Sequence, residues 1–181
     1  MESLSDQSLK HIVITGPEST GKTVLCEKLA RHYQTVFIPE YARDYILALK
    51  RPYVYEDVLH IAGKQVDLAG EYSKTAKNML FYDTYLIITK VWFDVVFNKH
   101  PLWMDEILLE NTIDIYLLCA PDIPWIPDPV RENGGEMRNV LFKRYQTELD
   151  NFHSKYQIIS GNNRFESAVE YIDASFNSQT D

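Results

Sequence analysis

Short apolar runs alternate with longer stretches of helical hydrophobic spacing along the chain. Five runs rich in β-branched, leucine and aromatic residues predict buried strands, at residues 11–15, 35–38, 79–82, 113–119 and 156–160. The stretches between and after them predict helices at residues 24–33, 40–49, 54–77, 85–97, 102–111, 138–153 and 164–176. Strands that alternate with helices indicate a three-layer α/β fold with a five-stranded, mostly parallel sheet.

Two segments carry neither pattern. Residues 1–9 are polar and predict a frayed tail. Residues 120–138, which we call the lid segment, follow the fourth predicted strand and are rich in proline, glycine and charge. A length of 181 residues is typical of one domain, so we expect residues 1–181 to fold as a single domain.

The first predicted strand runs into the sequence GPESTGKT at residues 16–23, the phosphate loop. The pattern Gly-x-x-x-x-Gly-Lys-[Ser/Thr] between a strand and a helix makes a tight loop whose backbone N–H groups point at phosphate oxygens. We therefore expect ATP as the cofactor, with Lys22 at its β- and γ-phosphates and Thr23 on Mg²⁺. The expected nucleotide contacts are Gly16, Pro17, Glu18, Ser19, Thr20, Gly21, Lys22, Thr23 and Val24.

An acidic residue at the end of a neighbouring strand usually completes such a metal site. Asp83 follows the apolar run MLFY and suits that role, which makes Thr23 and Asp83 the predicted Mg²⁺ residues. Capping of the next helix is an ordinary alternative role for Asp83, and the two roles are compatible.

Composition narrows the classes of partner. The net charge of -8 argues against binding to the backbone of DNA or RNA, which requires a basic surface. The two cysteines, Cys26 and Cys119, fit small core residues in a reducing compartment. With neither a signal-peptide pattern nor an apolar run near the ~20 residues of a membrane span, we expect a cytoplasmic protein without a membrane partner.

Several classes of protein use this loop. A GTPase would need a guanine-binding Asn-Lys-x-Asp, which Asn98-Lys99-His100-Pro101 does not match, and a ring-forming ATPase would be larger. Two classes remain open: a small-molecule kinase, which needs an acceptor pocket and an Arg-bearing lid, and a nucleotide-sensing ATPase without kinase activity.

The lid segment contains PWIPDPVR, and Arg131 and Arg138 are its candidate catalytic arginines. Arginines on a closing segment can neutralise charge on a transferring phosphoryl group, although solvated surface positions are the usual place for arginine. The segment PEYARDY, at the end of the second strand, is the candidate acceptor side. Glu40 could accept the proton of a substrate hydroxyl, but it could equally favour the start of a helix.

Taken together, GPESTGKT, PEYARDY, FYDT and PWIPDPVR resemble the ribosylnicotinamide kinase domain of NadR-type proteins and the related short NadR-like P-loop ATPases. The resemblance covers residues 12–172. It implies transfer of the ATP γ-phosphate to the 5′-hydroxyl of nicotinamide riboside, a small nucleoside partner. It also implies substrate-side roles for Glu40, Tyr41, Arg43, Gln65, Thr84, Trp125 and Asp128. Together with the motifs above, it makes Lys22, Glu40, Asp83, Arg131 and Arg138 the predicted catalytic residues.

The chain departs from the family pattern at three points. Tyr85 replaces the second acid of an Asp-Thr-Asp at the end of the third strand, and Pro39 replaces an aromatic residue before Glu40. If that aromatic stacks on the nicotinamide ring, the replacement is expected among Tyr41, Tyr45 and Trp92. Because about ten residues precede the first strand, we also expect neither the adenylyltransferase nor the DNA-binding part of the longer members. By analogy of fold, adenine is expected near residues 161–164.

Overall fold

The computed structural model describes residues 8–110 and 112–177, so residues 1–7 of the predicted tail lie outside the described residues. Five strands form one sheet: β1 (Lys10–Thr15), β2 (Phe37–Ile38), β3 (Met79–Asp83), β4 (Ile115–Cys119) and β5 (Tyr156–Ile159). Within the same described residues, seven helices connect or follow them: α1 (Lys22–His32), α2 (Tyr41–Ala48), α3 (Tyr55–Ser73), α4 (Leu86–Phe97), α5 (Leu102–Leu109), α6 (Glu136–Asn151) and α7 (Arg164–Asn177).

The sheet has the strand order β2-β3-β1-β4-β5, and all four pairings are parallel. The expected five-stranded parallel sheet is therefore confirmed. Since β1 lies between β3 and β4, the chain crosses to one side of β1 first and to the other side later. Ligands of open α/β sheets bind at the carboxyl ends of the strands where this reversal occurs, and the phosphate loop follows β1 at that point.

Two apolar layers cover the faces of the sheet. Alternation along β1 separates them, because Ile12 and Ile14 face one layer and Val13 faces the other. The first layer is contributed mainly by α1 and α7 and includes both cysteines. The second is contributed by α3, α4, α5 and α6. The three-layer prediction is confirmed, and both thiols are free and buried, with burial raising the pKa of Cys119 to about 11.

The ends of several helices and strands differ by a few residues from the predicted ones. The third helix ends at Ser73, where a turn through residues 74–76 stops it before β3. The fourth strand begins at Ile115, because the Asp114 carboxylate accepts the N–H of His11 over 2.7 Å and closes the end of the sheet. The sixth helix begins at Glu136, directly after Gly135 at φ 57°, so the last part of the lid segment is helical. Residue 111, at the end of a predicted helix, lies outside the described residues.

None of the helices within residues 8–110 and 112–177 has the length and apolar character needed to cross a membrane.

Candidate active site

The phosphate loop connects β1 to α1 in a conformation that depends on two glycines. Gly16 has φ 138°, and a Cβ added there would lie 2.5 Å from the carbonyl oxygen of Cys119 on β4. Gly21 has φ 76° and forms the N-cap of α1. Gly16 is therefore required both because a side chain would clash and because its φ is positive, whereas Gly21 is required because its φ is positive. The loop presents the N-terminus of α1, which favours an anionic ligand.

Lys22 and Thr20 fold inward over this loop. The Lys22 Nζ donates to the carbonyl oxygen of Pro17 over 2.7 Å, and the Thr20 hydroxyl donates to the same oxygen over 2.8 Å. Lys22 is only 9% exposed, so its ammonium is confined to the loop. A phosphate oxygen entering the loop would offer this ammonium a charged acceptor in place of a neutral carbonyl.

Thr23 and Asp83 meet beside the loop. The Thr23 hydroxyl donates to Asp83 Oδ2 over 2.6 Å, while Asp83 Oδ1 is buried and has no hydrogen-bond partner among the described residues. Burial raises the pKa of Asp83, and the Thr23 hydrogen bond and Lys22 act in the opposite direction. Thr84, next in sequence, has φ 72° and donates its N–H to the Ile14 carbonyl over 3.0 Å, which fixes the strand end against β1.

These oxygens fit the predicted Mg²⁺. Hydroxyl and carboxylate oxygens are the donors Mg²⁺ prefers, and it commonly keeps waters and phosphate oxygens in its shell. No group of three His, Cys, Asp or Glu side chains among the described residues could hold a metal by itself. A metal at Thr23 and Asp83 would therefore depend on the nucleotide for the remainder of its coordination.

One cavity of ≈ 390 Å³ begins at the phosphate loop and continues beyond it. Its polar end is lined by residues 18–24 of the loop and α1. Its far end lies between α2, α4, α6 and the lid segment, where Tyr53 and Trp92 contact edge to face with ring centroids 5.0 Å apart. Glu40, Arg43 and Arg131 also line it. The predicted donor and acceptor sides thus belong to a single space.

Glu40 lines this cavity and interacts electrostatically with Lys22 of the phosphate loop and with Arg43 of α2. It precedes α2 as its N-cap, with no side-chain capping hydrogen bond. Burial raises the pKa of the Glu40 carboxyl; Lys22 lowers it and Asp83 raises it further. A carboxylate with a raised pKa is a stronger base than an exposed one, which suits proton acceptance from a substrate hydroxyl.

The lid segment is held to three other elements. Arg43 of α2 forms an ion pair with Asp128. Glu18 of the phosphate loop accepts the backbone N–H of Asn133 over 2.9 Å. The Tyr53 hydroxyl donates to Glu132 over 3.2 Å. The lid segment therefore lies across the cavity and contacts both its donor and its acceptor sides.

The two predicted lid arginines have different surroundings. Arg131 lines the cavity and donates to the Ile126 carbonyl over 2.6 Å. Arg138 is 7% exposed and donates to the carbonyls of Ile123 and Ser19 over 3.0 and 2.9 Å. Its guanidinium lies 5.9 Å from the Trp125 ring. Arg138 thus joins the lid segment to the phosphate loop, and a catalytic role for either arginine stays a prediction.

A family model described as an AAA domain matches residues 11–166, most of the chain. The chain belongs to this family. The trifunctional NAD biosynthesis/regulator protein NadR of Salmonella typhimurium is 26% identical over 148 residues, and the match covers 78% of this chain and 35% of NadR. The AAA domain described here therefore spans about a third of the length of that relative. The resemblance to NadR-type proteins is confirmed.

Solved structures share the architecture of this AAA domain. NadR in complex with NR gives a TM-score of 0.79 at 22% identity, covering 92% of this chain and 50% of the NadR chain. Deoxyadenosine kinase from M. mycoides gives a TM-score of 0.62 at 13% identity, covering 93% of this chain and 99% of the kinase. These likenesses confirm the predicted P-loop fold of the nucleoside-kinase type.

Several predicted substrate residues of the AAA domain do not line the large cavity. Tyr41, Gln65 and Thr84 line a second cavity of ≈ 10 Å³ instead, next to Asp83. Gln65 Oε1 accepts the hydroxyl of Thr89 over 2.8 Å, so that side chain is bonded to α4. Trp125 and Asp128 lie on the lid segment, outside the lining of the large cavity. Substrate contacts for these five residues stay predictions.

The predicted adenine region is connected to neighbouring loops by one ion pair and several hydrogen bonds. Arg164 pairs with Asp122 and donates to the carbonyls of Thr20 and Ala120 over 3.1 and 2.9 Å. The Gly161 N–H donates to Asp122 over 2.6 Å. This cluster joins the loop after β5 to the phosphate loop, and the adenine placement stays a prediction.

The sequence missed part of the large cavity. Tyr53 lies between α2 and α3, and Tyr145 lies on α6; neither was singled out. Trp92 was one of three candidates for stacking, and it lines the cavity, whereas Tyr41 and Tyr45 do not. The apolar spacing of α4, with Ile88, Trp92 and Val96 at four-residue intervals, was the available signal for a continuous lining face.

Proposed function

We propose that this chain is an ATP-dependent kinase that phosphorylates the 5′-hydroxyl of nicotinamide riboside to give nicotinamide mononucleotide. One observation carries the proposal: a single cavity, lined by Glu40, joins the phosphate loop to an aromatic chamber that contains Tyr53 and Trp92. A kinase requires both substrates in one space, whereas an ATPase that only senses nucleotide requires the loop alone.

The donor half is the phosphate loop with ATP. The inward-pointing backbone N–H groups and the Lys22 ammonium would bind the β- and γ-phosphates. Thr23 and Asp83 would hold Mg²⁺, whose chemistry is to neutralise charge on the phosphates. Arg131, which lines the cavity from the lid segment, would face the transferring group once its bond to the Ile126 carbonyl is exchanged.

The acceptor half is the aromatic chamber. Trp92 and Tyr53 offer ring surfaces for a planar base, and the acidic side chains of Glu18, Glu40 and Glu132 also line the cavity. Nicotinamide riboside carries a positively charged aromatic ring, which aromatic faces and nearby carboxylates stabilise. The chemistry of the chamber therefore suits a cationic nucleoside.

The transfer step follows from these positions. Glu40 accepts the proton of the 5′-hydroxyl while the 5′-oxygen of the riboside attacks the γ-phosphorus in line. The bond between the γ-phosphorus and the oxygen that bridges to the β-phosphate breaks, and ADP leaves. Because phosphoryl transfer needs little covalent chemistry from the protein, positioning and charge stabilisation supply the catalysis. The lid segment excludes water from the closed cavity, which favours transfer to the riboside over hydrolysis.

The similarity to NadR supports nicotinamide riboside as the proposed substrate. NadR is named for NAD biosynthesis, and one of its structures contains NR, which we take to be nicotinamide riboside. This chain spans only part of NadR, and we propose that it carries the kinase activity. Because its proposed phosphoryl donor is ATP, we propose that the protein acts in the cytoplasm.

Measurement of ADP release with a panel of ribosides tests the proposal. We expect nicotinamide riboside to stimulate ADP release and to appear as the mononucleotide by mass spectrometry. Trp92→Leu should raise the KM for the riboside, while Trp103→Leu on α5, outside the cavity, should not. Slow ADP release that no riboside stimulates would support the nucleotide-sensing ATPase instead.

A further inference from the structure

Tyr145 lies on the face of α6 that packs into the protein. The buried residues of this helix are Arg138, Leu141, Tyr145 and Leu149, at helical spacing. Tyr145 is 6% exposed, and with Leu141 it forms the α6 wall of the large cavity. Its ring packs in the apolar layer while the residue borders the cavity.

The Tyr145 hydroxyl makes no hydrogen bond with any described residue. Other tyrosines near the site are bonded: Tyr82 to His11 Nδ1 over 2.6 Å, and Tyr45 to Asp57 over 2.9 Å. Buried tyrosine hydroxyls usually find a partner, because leaving one unpaired costs free energy. A cavity-lining hydroxyl without a protein partner is therefore available to a ligand.

The charges around Tyr145 define what it can do. Burial and the carboxylates of Glu18 and Glu40 raise the pKa of Tyr145 well above its ordinary value. The hydroxyl therefore stays protonated at neutral pH and can donate a hydrogen bond. Glu18 belongs to the donor loop and Glu40 to the acceptor side, so Tyr145 lies close to both halves of the cavity.

We propose that the Tyr145 hydroxyl donates a hydrogen bond to a ribose hydroxyl of the acceptor and so selects ribosides over deoxyribosides. The inference rests on the proposed kinase function. With the base against the aromatic surface of Trp92 and Tyr53 and the 5′-hydroxyl at Glu40, the other hydroxyls of the same sugar lie within a few ångströms of Glu40. Tyr145 lines the same cavity, and its hydroxyl, which bonds no described residue, is available to donate to one of them.

The test compares nicotinamide riboside with its 2′-deoxy and 3′-deoxy analogues in wild type and Tyr145→Phe. We expect wild type to prefer the riboside over one analogue by at least about tenfold in kcat/KM, as for one unpaired buried hydrogen-bonding group. Tyr145→Phe should lower kcat/KM for the riboside by a similar factor and leave that analogue unchanged. The matched control is Tyr116→Phe, because Tyr116 is a buried tyrosine of β4 that does not line the cavity.

Other roles of Tyr145 predict different kinetic results. Equal loss on riboside and analogues, or no loss at all, would overturn the role of Tyr145. A shifted acid limb of the kcat profile with unchanged sugar preference would show that the hydroxyl acts on Glu40 and not on the sugar. Wild type that phosphorylates none of the three compounds would refute the proposed function itself, and with it the inference. Thermal unfolding of Tyr145→Phe should match wild type, because the lost hydroxyl bonds no described residue.

Discussion

The guanidinium of Arg43 on α2 forms an ion pair with the carboxylate of Asp128 on the lid segment, 85 residues further along the chain. Asp128 also accepts the N–H of Val130 over 3.1 Å, and Arg43 is the main group that keeps the pKa of Asp128 below its usual range. This ion pair therefore joins the acceptor side of the cavity directly to the lid segment.

Removal of this pair should loosen the lid. We expect Asp128→Asn and Arg43→Gln each to raise the KM for the riboside by a factor of about two to five, the range of a partly exposed ion pair. The double variant should be no worse than either single one, because both remove the same interaction. Steady-state kinetics on all three proteins measure this coupling, and additive losses would indicate that each residue contacts the substrate separately.

Lys22→Ala should abolish ATP turnover and leave the fold intact. Among the described residues, the Lys22 ammonium bonds only the Pro17 carbonyl of its own loop, so its loss removes the phosphate contact and little of the core. Lys28→Ala, an exposed lysine on the same helix, is the control and should keep wild-type turnover. Turnover retained in Lys22→Ala with an unchanged thermal midpoint would contradict the role of the phosphate loop.

Glu40→Gln should reduce phosphoryl transfer far more than it weakens ATP binding. Because the folded pKa of Glu40 is raised, its basic form is lost as the pH falls through a value above the ordinary ~4.3 of glutamate. The acid limb of kcat in wild type should therefore lie above that value, and Glu40→Gln should lack it. Profiles of kcat against pH, with ATP binding by calorimetry, measure both. Equal losses in binding and transfer would make Glu40 structural.

Asp57 at the start of α3 should make stability depend on pH. Arg51, the Val54 N–H and the Tyr45 hydroxyl all bond its carboxylate, and Arg51 is the largest cause of its lowered pKa. The stabilisation is complete above the unfolded value of about 3.9 and is lost as pH falls towards the folded one. Urea unfolding from about pH 5 to pH 2 should thus show a steeper loss in wild type than in Asp57→Asn. Asp67→Asn, on the exposed side of α3, should behave as wild type.

The donor side could be predicted from sequence because it is local. The phosphate loop is a contiguous motif, and Asp83 lies at the end of the strand that pairs with β1, so its distance from Thr23 follows from the topology. The acceptor side depends on which faces of α2, α3 and α6 turn inward. Gln65 and Tyr41 were expected at the substrate but line the small cavity, and Tyr145, which lines the large one, was not expected there. Which face of a helix points into the cavity is determined by packing between segments that are distant in sequence, and this packing cannot be deduced from one sequence.

Gly16 has a consequence for the second cysteine of the chain. A Cβ at Gly16 would lie 3.2 Å from the Cβ of Cys119, so a bare Cα hydrogen is all that separates the nucleotide site from the strand beneath it. The phosphate-binding amides therefore rest directly on the packed interior, and a bulkier side chain at Cys119 would displace the loop upward. A change of side-chain volume at Cys119 is therefore expected to alter nucleotide binding at the loop as well as the packing of β4.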